Sequence, residues 1–149
     1  MDERPCRDPV APCHRGARLE RLILDTTVLV TAERRRARLD PAIADEDDVA
    51  IAAVTAAELL VGVALANARQ RKGRAAFVED VLRTLSVEDY TLMTARAHAN
   101  LLAATRVSGT PRGAHDMIIA ATAVATGRAV VTADAGGFSD LPGLDVRVV

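Results

Sequence analysis

The sequence predicts an α/β domain, built as a three-layer α/β/α arrangement around a mainly parallel central sheet. Short apolar runs of strand type occur at 21–24, 49–54, 85–87, 129–132 and 146–149. Helical patterns separate them, and strands alternating with helices argue for a parallel sheet covered on both faces. Four carboxylates, Asp25, Glu58, Asp116 and Asp134, stand where a strand pattern hands over to a helix or loop. In a parallel sheet the carboxyl ends of strands and the amino ends of the following helices share one edge.

Each element has a local reason. The domain begins at Leu19 or Glu20, and the run 21–24 ends at Asp25. Thr26 or Thr27 is competent to cap a helix carrying Val28, Leu29 and the cluster Arg34, Arg35, Arg36 and Arg38, which Pro41 limits. After an acidic stretch at 45–48, residues 49–54 read as a buried strand and 55–68 as a helix with Leu59, Leu60 and Val63 on one side. Gly73 is expected to break the pattern before an amphipathic helix over 74–85, whose Phe77, Val81, Leu82 and Leu85 fall at core spacing. A long helix over 91–107 stops at the loop 108–113, the clearest in the chain. Residues 116–126 form a helix that ends at Gly127, a residue suited to a left-handed C-terminal cap. Strand 129–132 follows, then turns at Gly136-Gly137 and Pro142-Gly143, then a final edge strand.

The 149 residues are enough for one domain with a single core. Half the residues are hydrophobic but only Phe77, Tyr90 and Phe138 are aromatic, so Ala, Val, Leu and Ile must build that core. A net charge of −1 gives no strong overall field toward nucleic acid or membrane. Lys72 is the only lysine, and the arginine excess reads as compositional bias. Cys6, Cys13 and His14 do not make a four-ligand zinc site. Residues 1–18, charged and with three prolines, read as a disordered extension or the product of an upstream start codon. They lack the apolar core of a signal peptide, and no run is long enough to span a membrane. The chain is therefore expected to be cytoplasmic.

Each of the four carboxylates has an ordinary explanation when taken alone. Asp25 is a good N-cap, although Thr26 and Thr27 make it dispensable there. Glu58 closes a capping-box pattern opened by Thr55. Asp116 gains about 0.3–1 kcal/mol from the helix macrodipole. Asp134 suits a turn before Gly136. Nothing in those roles requires all four to map to one edge. Like charges a few ångströms apart raise one another's pKa steeply, so a cation must sit between them. Oxygen donors alone select Mg2+ or Mn2+. Such ions serve phosphodiester hydrolysis by activating water and stabilising the leaving oxygen. Thr26 and Thr132 are placed to hold metal waters or phosphate. Arg112, just before Asp116, is either a contact to the substrate backbone or a plain loop arginine.

The segments Leu22-Ile-Leu-Asp-Thr-Thr-Val-Leu29, Val54-Thr-Ala-Ala-Glu-Leu-Leu-Val-Gly62, His115-Asp-Met-Ile-Ile-Ala-Ala-Thr-Ala123 and Val130-Val-Thr-Ala-Asp134, the last followed by Phe138 and Leu141-Pro-Gly-Leu144, resemble the four blocks of the PIN-domain family. Within that family the chain most resembles the VapC-type toxins, over residues 21–149. The resemblance implies a PIN-like fold over 19–149 and a Mg2+- or Mn2+-dependent endoribonuclease. It also implies a homodimer, and neutralisation by a small VapB-type antitoxin. By position, Asp25, Glu58 and Asp116 would be the principal metal-site acids and Asp134 the fourth. His115 stands where the family often has Asn, and Gly137 where it often has Asp, so a second metal position is less supported than a first.

Rival classes fit less well. Haloacid-dehalogenase-type phosphatases want a second Asp at the position of Thr27, and both they and phospho-receiver domains want a lysine at a later strand end. No Gly-Lys-Ser/Thr follows Gly109 or Gly113, which excludes a P-loop. The remaining alternative is a non-catalytic or degenerate RNA- or protein-binding module of the same fold. Scarce aromatics disfavour base stacking as its binding mode.

Overall fold

A computed structural model describes residues 19–36 and 43–149. The predictions for residues 1–18, including Cys6, Cys13 and His14, and for Arg38 and Pro41 lie outside the described residues. Five strands alternate with helices. They are β1 (Arg21–Leu24), β2 (Asp48–Ala52), β3 (Ser86–Glu88), β4 (Ala129–Thr132) and β5 (Val146–Val148). The helices are α1 (Thr26–Arg35), α2 (Ala53–Ala64), α3 (Ala68–Thr84), α4 (Leu92–Ser108) and α5 (Ala114–Thr126), and a 3-10 turn spans Ala135–Gly137.

All strand pairs are parallel, in the order β3-β2-β1-β4-β5. The period-two alternation of strand side chains divides the core in two. Leu22, Leu24, Ile51 and Val131 face α1, α2 and α3, where Val28, Leu29, Leu59, Val78 and Val81 meet them. Ile23, Ala52 and Val130 face the other way, toward Leu101 of α4 and Met117, Ile119, Ala120, Ala121 and Ala123 of α5. Full burial of each large aliphatic side chain contributes about 1.5–3 kcal/mol. The alanines of α5 let α4 approach closely, and these two helices make the most extensive contact between elements. The three-layer fold is as the sequence predicts.

Several boundaries differ, each for a physical reason. The strand predicted over 49–54 gives way to helix at Ala53, since Ala52 already has the extended backbone of an N-cap (φ −76°, ψ 151°). Thr55 therefore lies inside α2, and the capping box with Glu58 does not form. The helix predicted over 55–68 ends at Ala64, and Asn67 starts a new one by accepting a bond from the Gln70 amide at 3.0 Å. Gly73 does not break α3. It sits on an exposed side of the helix, where glycine costs only about 1 kcal/mol relative to alanine. Strands β3 and β5 are displaced or shortened by one residue. Gly127 has φ 64° and closes α5 as predicted.

Arg128 links the sheet from below. Its side chain is buried, and its guanidinium donates to the Leu22 and Asp48 carbonyls at 3.3 and 2.8 Å. It also pairs with the Asp48 and Glu88 carboxylates at 3.1 and 2.8 Å. One side chain thereby spans β1, β2 and β3.

Candidate active site

Strand order reverses direction from β1, which leads to β2 on one side and β4 on the other. Crevices beyond the carboxyl ends of strands at such a switch point are the usual ligand sites of open α/β sheets. Asp25 follows β1 there, Asp134 follows β4, and Asp116 occupies the first turn of α5.

Asp25 is 3% exposed and occupies the N-cap position of α1, yet its side chain makes no capping bond. Its Oδ2 instead accepts from the Thr27 hydroxyl at 2.7 Å and the Thr132 hydroxyl at 2.9 Å. Those hydroxyls in turn accept from the amides of Ala133 (3.1 Å) and Asp134 (3.0 Å). A carboxylate, two hydroxyls and two amides thus form one network joining β1 to β4. Thr27 had been read only as a possible cap. Its place two residues after Asp25, on the same side of the first turn, was the available signal.

Glu58 lies a turn and a half into α2 and bridges two elements. The Thr26 hydroxyl donates to its Oε2, and His115 Nδ1 lies 2.5 Å from its Oε1. Thr26 therefore holds Glu58 directly. A cavity of about 200 Å³ opens beside these two residues between α1, α2 and α3.

Asp116 is the electrostatic centre of the group. Burial lifts its carboxyl above the ordinary carboxylate range, and the charges of Asp25, Asp134 and Glu58 lift it further, while His115 opposes them. The structure therefore brings all four predicted acids within electrostatic reach of one another. Among the described residues, however, no three His, Cys, Asp or Glu side chains are drawn together closely enough to enclose a cation. Asp134 Oδ1 caps the 3-10 turn by accepting from the Gly136 amide at 3.0 Å. Arg112 is committed to the same turn, donating to the carbonyls of Gly136 and, at 2.7 Å, Ser139.

The donor set suits a hard divalent cation. It consists of carboxylate oxygens backed by threonine hydroxyls, and the raised Asp116 carboxyl reports negative charge awaiting compensation. Arg112 is turned to the turn carbonyls, which leaves His115 as the cationic group acting on Asp116.

A parallel α/β sheet with an acidic crevice at its switch point places the chain among the carboxylate-site α/β proteins. The chain belongs to the PIN-domain family, whose profile, described as PIN domain, matches residues 22–144. It is similar to Ribonuclease VapC1 of Rickettsia felis, with 26% identity over 129 residues that cover 86% of this chain and 96% of the relative. Among solved structures it is similar to VapBC-5 of Mycobacterium tuberculosis, a member of the VapBC family of toxin–antitoxin systems. There the identity is 30% and the TM-score 0.72, over 85% of this chain and 97% of that one. It is also similar to DNA-bound VapBC of Salmonella typhimurium, with 25% identity and a TM-score of 0.75, over 87% of this chain and 98% of that one.

Proposed function

We propose that this chain is a VapC-type endoribonuclease toxin that hydrolyses RNA phosphodiester bonds with Mg2+ or Mn2+ and is neutralised by a VapB-type antitoxin. The observation that carries this reading is the charge of three other acids converging on Asp116 at the sheet's switch point. Similarity to ribonuclease VapC1 and to VapBC assemblies supports the substrate and the partner. Asp25, Glu58, Asp116 and Asp134 would hold the ion, which when bound supplies an activated water and neutralises charge on the phosphate.

The chain's own residues prepare that site. Thr27 and Thr132 fix one oxygen of Asp25, and Oδ1 takes no hydrogen bond among the described residues. Thr26 and His115 hold Glu58 between α1 and α5. Arg112 holds the turn that carries Asp134. No helix among the described residues is long and apolar enough to cross a membrane. We take the active form to be a homodimer acting in the cytoplasm.

The test is cleavage of a fluorogenic RNA. Mg2+ or Mn2+ should support cutting, EDTA should stop it, and Asp25→Asn or Asp116→Asn protein that keeps its circular dichroism should be inactive. Equal cutting by these variants would overturn the metal site. Induced expression should arrest growth, and a small neighbouring open reading frame should relieve the arrest. Normal growth with soluble, active protein would overturn the toxin role.

A further inference from the structure

Asp116 lies between two glycines drawn from different parts of the chain. A Cβ placed on Gly137 would fall 2.7 Å from Asp116 Oδ2 and 3.1 Å from its Cγ, and one on Gly113 would fall 3.0 Å from the same oxygen. Neither glycine is needed for its backbone. The positive-φ glycines are Gly109, Gly127 and Gly143, and Gly113 has φ −59°. Any residue could adopt these conformations, so what excludes a side chain at 137 is the Asp116 carboxylate itself.

The two walls of this slot are tied together. Arg112, adjacent to Gly113, donates to the carbonyls of Gly136 and Ser139, which bracket Gly137 in sequence. Asp25 has its orientation fixed by two hydroxyl donors, but no donor among the described residues holds the Asp116 carboxylate. Close packing against bare backbone takes the place of such donors. An acid at 137 is incompatible with Asp116 as it stands, which accounts for a pocket of four acids rather than five.

We propose that Gly137, together with Gly113 and the Arg112 clamp, is a positioning device that sets the direction of the Asp116 carboxylate for cation binding. The proposal rests on the metal-dependent reading above. Even a methyl group at 137 must drive Asp116 out of its place. Removing the clamp must let the turn swing away from it.

The experiment is calorimetric titration of Mn2+ into metal-free wild type, Gly137→Ala and Arg112→Gln, with electron paramagnetic resonance of the bound Mn2+. Both variants should keep the wild-type circular dichroism and bind Mn2+ about 10- to 100-fold more weakly, the usual loss when groups that orient a metal ligand are removed. The spectrum of the bound ion should broaden as well. Wild-type affinity and spectrum in Gly137→Ala would overturn the slot while leaving the metal site standing. If wild type takes up no Mn2+, the metal reading falls, and this proposal with it. Should Gly137→Ala not fold, Arg112→Gln, which keeps the glycine, decides by the same two readouts.

Discussion

Thr132 at the end of β4 donates its hydroxyl to Asp25 at the end of β1, a 2.9 Å bond between residues 107 apart in sequence. Thr132 is fully buried, and the same oxygen accepts the Asp134 amide. Replacing Thr132 by Val keeps the shape and removes both interactions. A hydrogen bond to a charged group contributes about 1.5–3 kcal/mol, so Thr132→Val should lose stability in that range by urea denaturation. RNA cleavage should fall with it, because Asp25 then keeps only Thr27 as donor.

Asp116→Asn should act on stability in the opposite direction. The folded-state pKa of Asp116 is raised, so its favourable contribution is complete below the unfolded pKa near 3.9 and is lost as pH rises through the folded value. At pH 7 the metal-free wild type therefore carries a repulsion that the Asn variant lacks. Thermal unfolding should show the variant as the more stable protein at neutral pH, with the difference closing in acid. Added Mg2+ should raise the melting temperature of wild type more than that of the variant.

On the far edge of the sheet, Asp48 titrates with the other sign. Its hydrogen bond from Arg128 holds its pKa below the ordinary value of 3.8, and the charges of Arg128 and Arg21 add to this against a smaller burial effect. This contribution is present above the unfolded pKa and disappears as pH falls through the lower folded one. Asp48 is half exposed, so solvent screening keeps it under about 1 kcal/mol. Asp48→Asn should flatten the acid side of a melting-temperature profile. Arg128→Met should cost more, up to about 3 kcal/mol, because it also abandons Glu88 and two backbone carbonyls.

His115→Ala frees Glu58 from α5. Mn2+ affinity and cleavage rate should both drop by about tenfold or more, as for other partners that orient a metal ligand. His115→Asn, which still offers a donor, should lie closer to wild type. Equal loss in both variants would mean that the imidazole does more than hold Glu58.

The layer order and the edge shared by the acids were legible because they follow from local pattern. Strand 129–132 and the stop at Gly127 match the prediction to the residue, since glycine's left-handed geometry punctuates the chain there. The break expected at Gly73 failed because a single exposed glycine is too weak to end a helix that Asn67 had already capped. The capping role of Glu58 failed because the helix starts two residues before Thr55. Thr27, the Arg112 clamp and the slot around Asp116 depend on which segments meet across the sheet. No periodicity encodes that.

The strand order also sets a clock. Asp25 is made early, but the hydroxyl that anchors it arrives with residue 132, in the last part of the chain to leave the ribosome. At about 5–20 residues per second, roughly 5–20 s of synthesis separate the two. Until β4 inserts beside β1, the crevice has only one wall. A nascent or prematurely terminated chain therefore has no assembled acidic site, and the protein gains its chemistry only when its translation is all but finished.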